Sequence, residues 1–403
     1  MKNFKIKALV TTSAIALSSL YSTAYADTEI ASGTTPDGHE WDVRVGGYYN
    51  ALVAYGTTDI DGVQGTDFDG VDVYTEGEIQ FKPTITLDNG LKIGANIQIE
   101  ESSNDRVDEA FLYIEGSFGR ILVGDHDSAG YKMHYGAPNA AIIDLSEPSN
   151  FEPETLPEIV DAFTRATGGV FDGSSFVSLG SDLERGTLAT TYIENDRNDE
   201  ATRVTYFTPR FSGFQLGVSY ARDGDDLSDD QADCDFRACN FFDIGANYVA
   251  SFGDFNVALS GRYGIASGGD GQEDPNVYGA GFNIKNGGVT IGGSFAEQND
   301  TPTSDGQSYD VGVSYKTGPW TFSTTYFHGE NTDNEHAFAS GGEFDEELSS
   351  FGADVRYKLA KGVSLNAFGA YVDFDEEIGD GGVGTAGNDA DGFVIGTGIG
   401  LRF

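Results

Sequence analysis

Through most of the chain beyond residue 40, apolar or aromatic side chains return at every second position in segments of about 9 to 13 residues, with Gly, Asn, Ser or a charge between them. In the clearest segment Leu91, Ile93, Ala95, Ile97 and Ile99 alternate with Lys92, Gly94, Asn96, Gln98 and Glu100. Phe214, Leu216, Val218 and Tyr220 repeat the pattern, as do Phe255, Val257, Leu259 and Tyr263. Successive side chains of a β-strand point to opposite faces, so each segment has one greasy face and one wet face. After the N-terminal segment no run of about 18 apolar residues occurs, which leaves strands rather than helices as the means of crossing a membrane.

A soluble sandwich would turn the apolar faces inward, and no single strand excludes that arrangement. Connection lengths discriminate between the two. Short turns fall at Asp88-Asn89-Gly90, Ser117-Phe118-Gly119, Ser212-Gly213, Ser251-Phe252-Gly253, Asn286-Gly287-Gly288, Thr317-Gly318-Pro319 and Ala360-Lys361-Gly362, and between them most strand pairs are joined by longer, acidic, Gly-rich loops. A barrel with one rim in the periplasm and the other outside the cell has this alternation. The pattern predicts strands near 40–57, 71–87, 91–102, 104–116, 120–127, 201–211, 213–222, 241–250, 254–266, 276–285, 288–298, 307–316, 319–329, 347–359, 362–374 and 391–403. The fold class is therefore all-β, a transmembrane antiparallel barrel of sixteen strands, wide enough for a water-filled lumen.

The ends agree with export. Lys2, Lys5 and Lys7 precede the mildly apolar stretch Ala8 to Leu20, and Ala24-Tyr25-Ala26 is a small-x-small cleavage site, so residues 1–26 read as a signal peptide and 27–403 as the barrel domain. The final segment, Phe393, Ile395, Thr397, Ile399, Leu401 and Phe403, alternates throughout and ends on an aromatic residue, like the terminal strand that outer-membrane assembly recognises. Pairing it with the first strand removes both open edges. Aromatic residues at segment ends, among them Tyr48, Tyr49, Tyr55, Tyr206, Phe207, Tyr248, Trp320 and Tyr371, suit the boundary between hydrocarbon and headgroups. Cys234 and Cys239, the only two cysteines, read as a local disulfide in an exported protein.

The formal charge of −42 argues against nucleic acid as a partner. Disorder does not follow from it, because 28 Phe and 20 Tyr are too many aromatics for an unfolded chain. Enzymatic function finds no support, since His39, His126, His134, His328 and His336 sit in no recognisable nucleophile or metal-ligand setting.

At Val107 to Gly124, VDEAFLYIEGSFGRILVG, and at Val204 to Tyr220, VTYFTPRFSGFQLGVSY, the chain resembles the general diffusion porins of Gram-negative bacteria, with a flavour of the acidic α-proteobacterial type. The resemblance implies a homotrimer of sixteen-stranded barrels in the outer membrane, passing small hydrophilic solutes, with the third outer loop folded inward. The matching insertion runs from about 128 to 200 and carries Asp144, Glu147, Glu152, Glu154, Glu158 and Asp161, with Pro148, Pro153 and Pro157 restricting its backbone. Carboxylates along a constriction would concentrate cations, while in bulk water they would only keep the loop soluble. In the family such a loop faces basic residues on the wall. Alternation turns Arg44, Lys82, Lys92, Arg203, Arg262 and Arg356 toward the lumen, with the first three the best candidates for that wall, and the excess of acids predicts preference for cations.

No cofactor is required by this reading. Acid rows at Glu343, Asp345, Glu346 and Glu347, at Asp373, Asp375, Glu376 and Glu377, and at Asp225, Asp226, Asp229 and Asp230 are placed in outer loops. There they either form a solvated rim or bind Ca2+ or other divalent cations that bridge the loops to lipopolysaccharide. The rivals are a substrate-specific channel and a surface adhesin.

Overall fold

The computed structural model describes residues 28–60, 68–101, 107–140, 190–194, 201–224, 238–269, 273–300, 305–335, 343–378 and 390–403. Among them the strands are β1 (Thr28–Thr34), β2 (Glu40–Ile60), β3 (Phe68–Thr86), β4 (Lys92–Glu100), β5 (Ala110–Gly116), β6 (Gly119–Asp125), β7 (Thr202–Phe207), β8 (Phe214–Ala221) and β9 (Cys239–Phe252). They continue as β10 (Phe255–Ser267), β11 (Asn276–Asn286), β12 (Val289–Asn299), β13 (Asp305–Thr317), β14 (Trp320–Glu335), β15 (Glu343–Ala360), β16 (Val363–Ile378) and β17 (Ala390–Arg402). One helical turn, α1 (Ala129–Lys132), follows β6.

Each of β2 to β17 pairs antiparallel with its chain neighbour, and β17 pairs with β2 from Ala390↔Ile60 to Arg402↔Tyr48, so sixteen strands close into a barrel without a free edge. The seven short turns gather at one rim. Glycine is required in them: Gly90 (φ 80) and Gly318 (φ 57) adopt left-handed backbone that a side chain would strain. Strand β1 was not expected. It lies antiparallel to the start of β2, from Thr28↔Val45 to Thr34↔Glu40, and takes up the edge of β2 below the point where Phe403 bonds Gly47.

The two faces separate as the alternation requires. Val53, Ile79, Leu112, Val123, Leu259, Ile291 and Val311 are exposed on the outer face, whereas Asn50, Gln80, Gln98, Ser219, Asn283 and Ser294 occupy the opposite, inward phase. Two aromatics expected at the membrane boundary instead face inward. Tyr48 donates to Glu76 Oε1 at 2.5 Å, and Phe207 lines an internal cavity. The interior is also not uniformly polar, since Phe327, Leu348, Phe368 and Phe374 are buried on the inward phase of β14, β15 and β16. Strand β5 starts at Ala110, later than the expected 104, although the backbones of Asp108 and Glu109 still bond that of Gln98, whose side chain donates to both carboxylates.

Two acid rows placed in loops belong to strands. Glu343 to Glu347 extend β15 and Asp373 to Glu377 extend β16, with Asp345↔Glu377, Glu346↔Glu376 and Glu347↔Asp375 directly opposite one another. Pairing of the two backbones past the hydrocarbon zone explains the longer strands. The row Asp225 to Asp230 and the signal peptide lie outside the described residues.

Candidate functional site

Past β6 the chain turns into the barrel and is moored to its inner wall. Ser128 caps α1, its Oγ accepting from Tyr131 N at 3.2 Å. From there the backbone crosses strand after strand: Ala129 N donates to Ser219 Oγ of β8 at 3.0 Å, Tyr135 N to Ser260 Oγ of β10 at 3.0 Å, Ala137 N to Asp310 Oδ1 of β13 at 2.9 Å, and Ala140 N to Ser323 Oγ of β14 at 2.7 Å. Asn283 of β11 donates to Gly136 O at 2.8 Å. The returning end is held by the same wall. Thr191 Oγ1 donates to Asp310 Oδ2 at 3.1 Å, Arg262 donates to Thr191 O at 3.0 Å, Ser308 donates to Thr190 O at 2.8 Å, and Ile193 packs on Val277 and Ala296.

Charges tie the two ends together. Lys132 Nζ lies 2.5 Å from Glu109 Oε1 and 2.8 Å from Asp127 Oδ2. Burial works against the Lys132 charge, but Asp127 and Glu109 outweigh it and hold the ammonium above the ordinary lysine range. Ser128 N donates to Glu194 Oε1 at 2.6 Å, and Glu194 Oε2 sits 3.8 Å from Arg203 Nη1. Burial pushes Glu194 up to about 8; Arg203 opposes this, while Asp243 and Asp127 add to it. His126 is fully buried between Gly124 O and Thr205 Oγ1, each 2.9 Å away, and burial with Lys132 and Arg203 nearby brings it down to about 3. His134 is likewise held neutral by burial and by Arg262.

Beneath this roof opens a cavity of about 1010 Å³. Arg44, Lys82, Lys92, Arg120 and Lys132 line it together with Asp42 and Glu115. Arg44 stands opposite Lys82 in the β2–β3 register, and Lys92, Glu115 and Arg120 form a row across β4, β5 and β6. Arg120 stacks 4.6 Å over the Tyr113 ring, and Arg44 Nε lies 2.9 Å from Asp42 Oδ1. Nearer the loop rim the wall is acidic. Carboxylate oxygens of Glu78, Glu100 and Asp108 come within 4.8 Å of one another, a hard-oxygen set able to hold a cation.

A model of the Gram-negative porin family matches residues 8–377. The chain belongs to that family. This porin is also similar in fold to an anion-selective porin from Comamonas acidovorans (TM-score 0.52, 16% identity, 90% of this chain and 100% of that one) and to a porin refined at 1.8 Å resolution (TM-score 0.51, 16% identity, with the same coverages). Among curated proteins it matches uncharacterised proteins of Rickettsia conorii (24% identical over 168 residues) and Rickettsia prowazekii (24% over 165 residues), covering 37% and 36% of this chain. The match spans 33% and 32% of those relatives' own lengths, about a third in each. Family membership places the protein in the outer membrane and outside the enzymes.

Of the residues singled out in the sequence, Arg44, Lys82 and Lys92 line one cavity. Arg203 and Arg262 lie elsewhere, buried against the loop ends, and Arg356 donates to Asn366 Oδ1 at 3.1 Å on the β15–β16 wall. Asp144, Glu147, Glu152, Glu154, Glu158, Asp161 and Cys234 fall outside the described residues. Cys239 opens β9, is buried, and takes part in a disulfide. Sequence reasoning passed over Arg120, Lys132, Glu109 and Glu194. Arg120 had the inward phase as a signal, but the partners of Lys132 and Glu194 are set by a loop path that no periodicity encodes.

Proposed function

We propose that this porin is a homotrimeric diffusion channel for small hydrophilic solutes and ions, with preference for cations. The mooring of residues 126–140 and 190–194 along the inner wall carries the reading, because both ends of the insertion are held inside the lumen. In this reading the acids of the insertion, Asp144, Glu147, Glu152, Glu154, Glu158 and Asp161, act at the channel together with the basic residues Arg44, Lys82 and Lys92 that line the cavity. The formal charge of −42 favours cations over anions at the entrance. Cys234 pairs with Cys239 in this reading, closing a small outer loop. Ca2+ is the cation proposed for Glu78, Glu100 and Asp108, whose donor set is all oxygen. Glu347 and Asp375, directly opposite one another on β15 and β16 and disfavoured as like charges, are eased in this reading by divalent ions that also bridge to lipopolysaccharide.

The test is the reversal potential of planar bilayers across a salt gradient. Glu152→Gln, Glu154→Gln and Glu158→Gln together are expected to lower the cation-to-anion permeability ratio, and an unchanged potential would remove the constriction assignment. Chelation is expected to lower the heat resistance of the trimer on gels. No change would remove the divalent bridges.

A further inference from the structure

Charge in this barrel is sorted along the channel axis. On the inward phase beside the short turns, β2, β3, β4 and β6 contribute Arg44, Lys82, Lys92 and Arg120 around one cavity. The remaining arc repeats the sign: Lys285 ends the inward phase of β11, Lys316 that of β13, Lys358 precedes the end of β15, and Arg402 closes β17. The phase of each is fixed by a buried residue an even number of positions earlier, Asn283, Asp310, Asp354 and Gly400. Acids on the same phase at this mouth are Glu40, Asp42 and Glu115, and Asp354 lies one step deeper, bonded to Ser323. Toward the loop rim the inward phase carries Glu76, Glu78, Glu100, Asp243 and Asp310, with Arg203 and Arg262 buried among them against the loop ends.

Composition does not produce this collar, since the chain has 23 basic residues against 65 acidic ones. Low-dielectric walls focus the field of like charges set around a mouth and raise the local concentration of the opposite ion. Lysine and arginine on opposite walls present many donors and no acceptor, a match for oxyanions. Because the cations are spread over strands around the mouth, a ligand carrying several anionic groups can engage more of them than a single small anion.

We propose that the turn-side mouth of the channel is an anion-binding vestibule for phosphate-bearing solutes, in series with an acidic loop-side half. It rests on the channel reading and is independent of cation preference at the constriction. Solutes with several phosphates then reside longer when they enter from the turn side, which is the periplasmic rim in outer-membrane barrels.

The experiment is block of bilayer conductance by inorganic tripolyphosphate added to one compartment at a time. Orientation is assigned in a Lys361→Cys background with a membrane-impermeant thiol reagent. Half-block is expected at a concentration about tenfold lower from the turn side than from the loop side. Combined Lys92→Gln, Lys285→Gln, Lys316→Gln and Lys358→Gln should abolish that difference, and the corresponding Lys→Arg set should keep it. All four lysines are exposed, so heat-resistant migration on gels should be retained. Equal block from both sides, or sided block that survives the Gln set, overturns the vestibule alone. A response that follows the anionic lipid content rather than dissolved tripolyphosphate assigns the cations to headgroups and also overturns it. Absence of any conductance overturns the channel reading itself.

Discussion

Lys132 sits where three acids would otherwise repel one another. Its ammonium bridges Glu109 and Asp127, with Glu194 joined to the same turn through Ser128. Removing one partner of a buried ionic group leaves the rest uncompensated, so Lys132→Met is expected to cost about 3–5 kcal/mol, read as a lowered urea midpoint in detergent. Adding Glu109→Gln should recover part of the loss. Glu194 gives a pH signature. A carboxyl raised from 4.5 to about 8 by folding contributes stability that is complete below 4.5 and lost as pH rises toward 8. Protease access to the loop ends should therefore increase over that window, and Glu194→Gln should flatten the slope. His126 acts in the opposite sense. Held near 3 from an ordinary 6.5, it stabilises above 6.5 and loses that contribution as pH falls toward 3.

Among the elements, the mooring path depends on inward-facing glycines set between its side-chain anchors, where the loop backbone approaches the strands directly. A Cβ at Gly281 would lie 1.7 Å from Tyr135 O, and one at Gly245 would lie 2.6 Å from Ala129 O. Gly281→Val should lift the loop from β11 at a cost of about 1–3 kcal/mol, seen as noisier open-channel current with the barrel still heat-resistant. The sequence placed small residues on this inward phase, but alternation alone gives no reason for them. The acid rows of β15 and β16 failed for a related reason. Charge density suggested loops there, whereas strand pairing beyond the hydrocarbon zone is indifferent to solvated side chains on either face.

On the scale of the molecule, the barrel divides lipid-facing from lumen-facing positions residue by residue. An arginine on the outer face at mid-depth costs about 2–4 kcal/mol in outer-membrane barrels, so Leu259→Arg should lower folding stability in lipid vesicles by that amount. The same side chain is already accepted at Arg262, three residues on and on the other face, where Thr191 O receives it. An unaltered unfolding midpoint for Leu259→Arg would mean that this face does not meet lipid.

Strand number, order and closure were legible in the sequence, because a period of two and the contrast of short turns with long loops are local signals that survive without coordinates. The departures came from contacts between distant segments. Phe207 and Tyr48 turned inward, β1 filled the edge below Phe403, Lys132 met Glu109 and Asp127, and Glu194 met Arg203. The mooring bonds reach furthest: Ala140 and Ser323 meet although 183 residues separate them, and only the closed barrel brings them within reach.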